Sequence, residues 1–296
     1  MTDGLAQRIE ASLDAVIAPE VRAIAEDLGR EAGASAVLFY GSNLRTGSLD
    51  GVLDFYVLLP GPQRERIWPR VSYREWPRGD VTLRAKIATM ALDTFARAAR
   101  GESRDTTIWA RFVQPSGLAW ARDNDARASV IAAISEAAMT AARLAAALGP
   151  ERGTAGDFWR ALFRATYRAE FRVEKAGREN DILSVNAAHF DGLLPIAWNA
   201  AGIAFDRDGQ VLSPRLTEAE RGKALAWWRT RERLGKPLNL LRLTKASTTF
   251  EGAAAYAAWK IERHTGVAIP VTPFREKYPL LAAPGVLWTI WRTKRQ

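Results

Sequence analysis

The sequence predicts an α+β fold, with a small mixed sheet in residues 1–125 and a mainly helical region in residues 126–296. Three observations predict it. Short apolar or alternating runs cluster between residues 36 and 87. Long stretches with helical spacing fill the chain after residue 125. Hydrophobic residues make up 48% of the 296 residues, enough for a packed core.

Leu5, Ile9, Leu13, Ile17, Val21, Ile24 and Leu28 recur at steps of three and four, which predicts a helix over 5–32, closed by Gly29 and Gly33. Ala36–Tyr40 reads as a buried strand. Gly41–Asp50 is polar and reads as a loop, and Val52–Leu59 reads as a second strand ending at Pro60. Residues 60–70 form a loop or short helix. Val71–Glu75 and Val81–Ile87 alternate as strands around a Pro77–Asp80 turn. Helices follow at 88–100, 126–149, 156–175, 217–234 and 250–264, the alanine-rich one over 126–149 stopping at Gly149-Pro150.

Composition narrows the chemistry. The absence of cysteine excludes a disulfide framework, a Cys-ligated zinc site and a thiolate nucleophile, and it is compatible with the cytosol. His189 and His264 are too far apart in sequence to suggest a His-rich metal site, so a metal would rest on oxygen ligands, as Mg²⁺ or Mn²⁺ does. A net charge of +9 attracts polyanions: nucleotide phosphates, nucleic acid or anionic lipid. The first residues lack the basic start and apolar stretch of a signal peptide, and no run of about 20 apolar residues predicts a spanning helix.

The chemistry concentrates in Tyr40-Gly41-Ser42 and the strand that carries Asp54. A strand runs into Gly-Ser, a loop follows, and a second strand returns a carboxylate beside the turn. Glycine lets backbone approach a triphosphate, and the serine hydroxyl and nearby N–H groups bind phosphate oxygens. A strand-borne carboxylate holds Mg²⁺ against the α-phosphate, the arrangement that nucleotidyl transfer needs. The alternative is an ordinary hairpin whose Asp54 pairs with an arginine. An Asp-x-Asp pair is absent, because Val52 and Tyr56 flank Asp54 two positions away. Asp50 is therefore the second candidate ligand and Asp80 the third, with Glu75 behind them. Arg84 and Lys86, two apart on a strand, share a face and are triphosphate candidates, as is Arg45; a solvated sheet face explains Arg84 and Lys86 equally well.

These residues resemble one family: the peripheral-membrane phosphatidate cytidylyltransferases, CDP-diacylglycerol synthases of the polymerase-β-like nucleotidyltransferase superfamily. Tyr40-Gly41-Ser42 is one matching stretch, and Val52-Leu53-Asp54-Phe55 is similar to that family's Met-Ile-Asp-Phe-type strand. Tyr167-Arg168-Ala169-Glu170-Phe171-Arg172, followed by Glu179 and Asn180, looks like its Tyr-x-Gly-Asp-hydrophobic-Arg stretch. Lys245-Ala246-Ser247-Thr248 leading to Tyr256 and Lys260 is similar to its Arg-x-Ser-Ser segment. Asn43, Ala169 and Glu170 depart from the family's Gly, Gly and Asp. The resemblance implies CTP and phosphatidic acid as substrates, Mg²⁺ as cofactor, and an enzyme peripheral on the inner, cytoplasmic face of a membrane. It implies phosphate or lipid contacts for Arg172, Glu170, Lys245 and Ser247. On residue pattern alone, an ion pair accounts for Glu170 and Arg172. In residues 277–296, tryptophans beside a basic end fit either an anionic membrane surface or a docked C-terminal helix. No protein partner is implied. An RNA or small-molecule acceptor, or an inactive nucleotide-binding module, are the rival readings, and nucleic acid is the less favoured partner.

Overall fold

Pro19 sets the first departure from the sequence reading. The expected helix over 5–32 is two: α1, Asp3–Leu13, and α2, Pro19–Glu31, with the proline in the first turn of α2. Proline has no N–H to donate and clashes inside a helix, but it suits a helix start. The computed structural model describes residues 3–78, 81–169, 178–249 and 251–277, together with Ala282, Pro284, Gly285 and Trp288.

The chain continues through β1, Ala36–Tyr40; α3, Ser42–Thr46; β2, Leu53–Leu59; β3, Arg70–Arg78; β4, Val81–Ala91; α4, Leu92–Ala99; α5, Thr107–Phe112; and β5, Ser116–Ala121. Then come α6, Asn124–Leu148; β6, Gly153–Thr154; α7, Ala155–Ala169; α8, Arg178–Val185; α9, Ala187–Phe190; and α10, Leu193–Ala200. Next are β7, Phe205–Asp208; β8, Val211–Pro214; α11, Glu218–Thr249; α12, Ala253–Thr265; and α13, Pro273–Lys277. This is the predicted α+β architecture, with a mixed sheet first and helices after it.

The five-stranded sheet has the order β3-β4-β2-β1-β5. Only the β2–β4 pair is parallel. Alternation divides its side chains between two cores. Val37, Phe39, Leu53, Phe55 and Val57 meet Val21, Ile24 and Leu28 of α2. Leu38, Tyr40, Tyr56, Leu58, Ala88 and Met90 join a larger core formed with α1, α4, α5 and the later helices.

Helix α6 is the axis of that larger core. Its N-cap is Asp123, whose carboxylate accepts from the Ala126 N–H at 2.7 Å. Ala137, Ala138, Ala141 and Ala142 are fully buried, and their small side chains let neighbouring helices approach closely. Trp198 of α10 donates its indole N–H to the Ala142 carbonyl at 2.9 Å. By length and composition α6 could cross a membrane, a property the sequence reading did not credit, but 78% of its most apolar window is buried inside the protein.

Other boundaries also moved. The expected helix over 88–100 begins only at Leu92, because β4 stays paired with β2 as far as Leu59 opposite Ala91. The expected loop after Gly41 contains α3, which ends at Gly47 in the left-handed region, φ 67°. Helix α11 runs on past 234 and through Pro237. Gly235 permits its crossing: a Cβ there would lie 2.3 Å from the Ala169 carbonyl oxygen of α7. Helix α5, strand β5 and the β7–β8 hairpin were not anticipated. The turn residues Gly79 and Asp80, and the end of the helix expected over 156–175, lie outside the described residues.

Candidate active site

One cross-strand row organises the site. Ser116, Tyr40, Asp54, Lys86 and Tyr73 are consecutive register partners across β5, β1, β2, β4 and β3. Asp54 and Lys86 thus stand side by side, on the face that carries Tyr40 and Tyr56. Gly41 leaves β1 beside the carboxylate with φ 92°, a conformation that disfavours any side chain. A Cβ at Gly41 would sit 3.1 Å from Asp54 Oδ2, so the glycine keeps open the space before that oxygen.

Burial pushes the Asp54 carboxyl above its ordinary value, while the Lys86 ammonium and the Arg111 guanidinium pull it back down. Arg111, from α5, also lies over the Tyr40 ring, 5.0 Å from its centroid. Tyr40 and Tyr56 pack as an aromatic pair, and burial raises the Tyr56 hydroxyl. Arg242 of α11 lies near enough to Tyr56 to oppose that rise. Arg242 itself pairs with buried Asp105 and donates to the Trp68 carbonyl at 3.1 Å.

Asn43 explains the loop after the Gly-Ser turn. It is buried, and its side-chain amide donates to the Ser48 and Asp50 carbonyls, both at 2.8 Å. A glycine there would have no amide to hold Asp50 in place. The Asp50 carboxylate is exposed, and its backbone N–H donates to Ser48 Oγ at 3.0 Å. Ser42 Oγ donates to Asn43 Oδ1 at 3.4 Å.

The other candidates divide. Arg84 shares the Asp54 face and pairs with Glu75 at 3.3 Å. Arg45 lines a cleft of about 280 Å³ with Tyr40, Gly41, Ser42, Arg111 and Tyr167. Lys245 is held elsewhere. It pairs with Glu65 at 2.5 Å and donates to the Ile67 carbonyl, in the loop that follows the opposite end of β2 from Asp54. Glu179 of α8 binds Arg164 at 3.1 Å. Asp80, Glu170 and Arg172 lie outside the described residues, as does the Ser247 side chain.

Among the described residues, no three His, Cys, Asp or Glu side chains gather to hold a metal. The residues near the turn that would hold an Mg²⁺ ion are Asp54, whose carboxylate Gly41 leaves open, and Ser42, whose hydroxyl follows Gly41 in sequence. The sequence reading missed Arg111, and it named Asn43 only as a departure from the family's Gly, not for the loop it holds. Arg111 belongs to a six-residue helix too short for a periodic signal. Compared with protein-family models and with curated proteins, the chain matches none.

Proposed function

We propose that this chain is a nucleotidyltransferase that binds a nucleoside triphosphate at Gly41–Ser42 and Asp54. The observation that carries the reading is the open contact between Gly41 and Asp54 Oδ2, flanked by Lys86 and Arg111. The finer reading is phosphatidate cytidylyltransferase, transferring CMP from CTP to phosphatidic acid, and it rests on the sequence resemblance. Mg²⁺, held by Asp54 with Asp50 as second candidate, would neutralise phosphate charge and polarise the α-phosphorus. Gly41, lacking a Cβ, leaves room for a phosphate oxygen beside Asp54. Lys86 and Arg111 offset the negative charge that grows on the phosphates. The acceptor's phosphate oxygen forms a bond to the α-phosphorus as the bond to the bridging oxygen breaks. Pyrophosphate leaves with that electron pair. A phosphate acceptor is already anionic near neutral pH, so no strong base is required.

The test is pyrophosphate release from CTP and Mg²⁺, with and without phosphatidic-acid vesicles, for wild type and Asp54→Asn. Lipid-dependent release that the variant loses supports the full reading. Release without lipid leaves nucleotidyl transfer but moves the acceptor to a soluble molecule or RNA. A second reading, a nucleotide-binding module without catalysis, is favoured by Lys86 standing beside Asp54 where a second carboxylate would strengthen metal binding. It predicts CTP binding that ignores Mg²⁺ and survives Asp54→Asn.

A further inference from the structure

Helix α12 reaches back to the sheet beside the site. Its approach is fixed at β3, where the Tyr73 N–H donates to the Glu251 carbonyl at 2.8 Å. Gly252 follows with φ 77°, and a Cβ there would lie 2.4 Å from the Tyr73 carbonyl oxygen, so only glycine permits so close a docking. Tyr256 then packs on Tyr73, with ring centroids 5.3 Å apart, and stacks with Trp259.

Trp259 is clamped by two guanidinium groups. Arg84 of β4 lies 5.5 Å from its ring centroid and Arg263 of α12 lies 5.3 Å away. Arg263 also reaches the loop before Asp54: its Nη1 is 3.1 Å from where a Gly51 Cβ would stand. Gly51, at φ 88°, disfavours a side chain there and leaves the arginine room. Lys86 is two residues from Arg84 on the same face, beside Asp54. Glu75 answers Arg84 at 3.3 Å. Among the described residues, no carboxylate lies within ion-pair distance of Arg263. Cations gathered on one ring repel each other unless an anion joins them, and guanidinium groups bind phosphate oxygens in pairs.

We infer that Arg263 and Arg84, braced on Trp259, bind the β- and γ-phosphates of a polyphosphate whose first phosphate lies at Asp54 and Lys86. The triphosphate then runs towards β3 and α12. This leaves the cleft that Gly41 and Ser42 share with Arg45, Arg111 and Tyr167 for the acceptor. The assignment rests on the nucleotidyltransferase reading only for the nucleoside end of the ligand; its phosphate chemistry stands on these cations.

The test is calorimetric titration of the full chain with CMP, CDP, CTP and inorganic tripolyphosphate, each with Mg²⁺. Wild type is compared with Arg263→Ala, Arg263→Lys and the exposed control Arg229→Ala. Arg263→Ala should weaken CTP and tripolyphosphate about tenfold or more and leave CMP unchanged. Arg263→Lys should recover part of the loss, and Arg229→Ala should match wild type. Unchanged melting of Arg263→Ala excludes misfolding. Equal losses for CMP and CTP, or tripolyphosphate binding untouched by Arg263→Ala, overturn the inference. So does loss of binding to phosphatidic-acid vesicles with tripolyphosphate binding intact, which would make the cluster a lipid contact. Arg263-dependent tripolyphosphate binding with no nucleotide binding supports the inference and sinks the nucleotidyltransferase reading.

Discussion

The two faces of the central sheet are made by the same strands, but α2 closes one over an apolar core, while the other begins apolar and ends charged. On the α2 face, Val37, Phe39, Leu53, Phe55 and Val57 form a closed core. On the opposite face Leu38, Tyr56 and Leu58 are equally buried, yet the same strands carry Asp54, Lys86 and Arg84 at its other end. A sheet can therefore be anchored by one face and serve chemistry with the other, one residue apart on one strand.

Adjacent substitutions on β2 test that division. Phe55→Ala should cost about 3–5 kcal/mol, read by chemical denaturation, because its ring is fully buried and leaves a cavity. Asp54→Asn should reduce pyrophosphate release on the order of a thousandfold, with no loss of stability. Comparable destabilisation by both would erase the distinction between the faces. Asp54 also predicts a pH dependence. Its folded pKa is raised above 3.8, so between 3.8 and the raised value the folded protein keeps a proton that the unfolded chain has lost. Stability contributed by this group falls as pH rises through that window and stays lower above it. Asp54→Asn should then be the more stable protein at neutral pH, and the difference should vanish below pH 3.8; denaturation midpoints across pH check both.

Asp105→Ala, which strands Arg242 beside Tyr56, should cost about 3 kcal/mol, since a largely desolvated cation loses its partner. Gly41→Ala should cost about 1–3 kcal/mol through its positive φ and crowd Asp54, so its activity should fall more than its melting temperature suggests. The smallest effect belongs to Lys245→Ala. Its half-exposed pair with Glu65 is worth about 1 kcal/mol or less, and CTP titration should not change. A strong loss of CTP binding would return Lys245 to the site.

Much of the sheet was legible because alternation and apolar runs depend on neighbours in sequence. Ala36–Tyr40, Asp54 and the Arg84–Lys86 face were readable on that basis. What escaped depended on distance in the fold. Arg111 and Arg263 reach the site from helices whose docking is set by remote contacts, such as Gly252 against Tyr73. Lys245 carried the right charge within a suggestive segment, but Glu65, 180 positions earlier, holds it. Helix α11 outran its expected end because a crossing against Ala169, invisible in sequence, makes Gly235 a contact residue rather than a stop.

Strand β3 lies at the margin of the sheet, and its Tyr73 N–H is met by Glu251, far later in the sequence. During synthesis the ribosome would release β3 long before that cover exists. A nascent chain, or one cut before residue 251, would present an uncapped strand able to template pairing with other copies. Completion of the C-terminal helices is thus also a safeguard against aggregation, and shortened versions of this protein should precipitate sooner than they lose their helices.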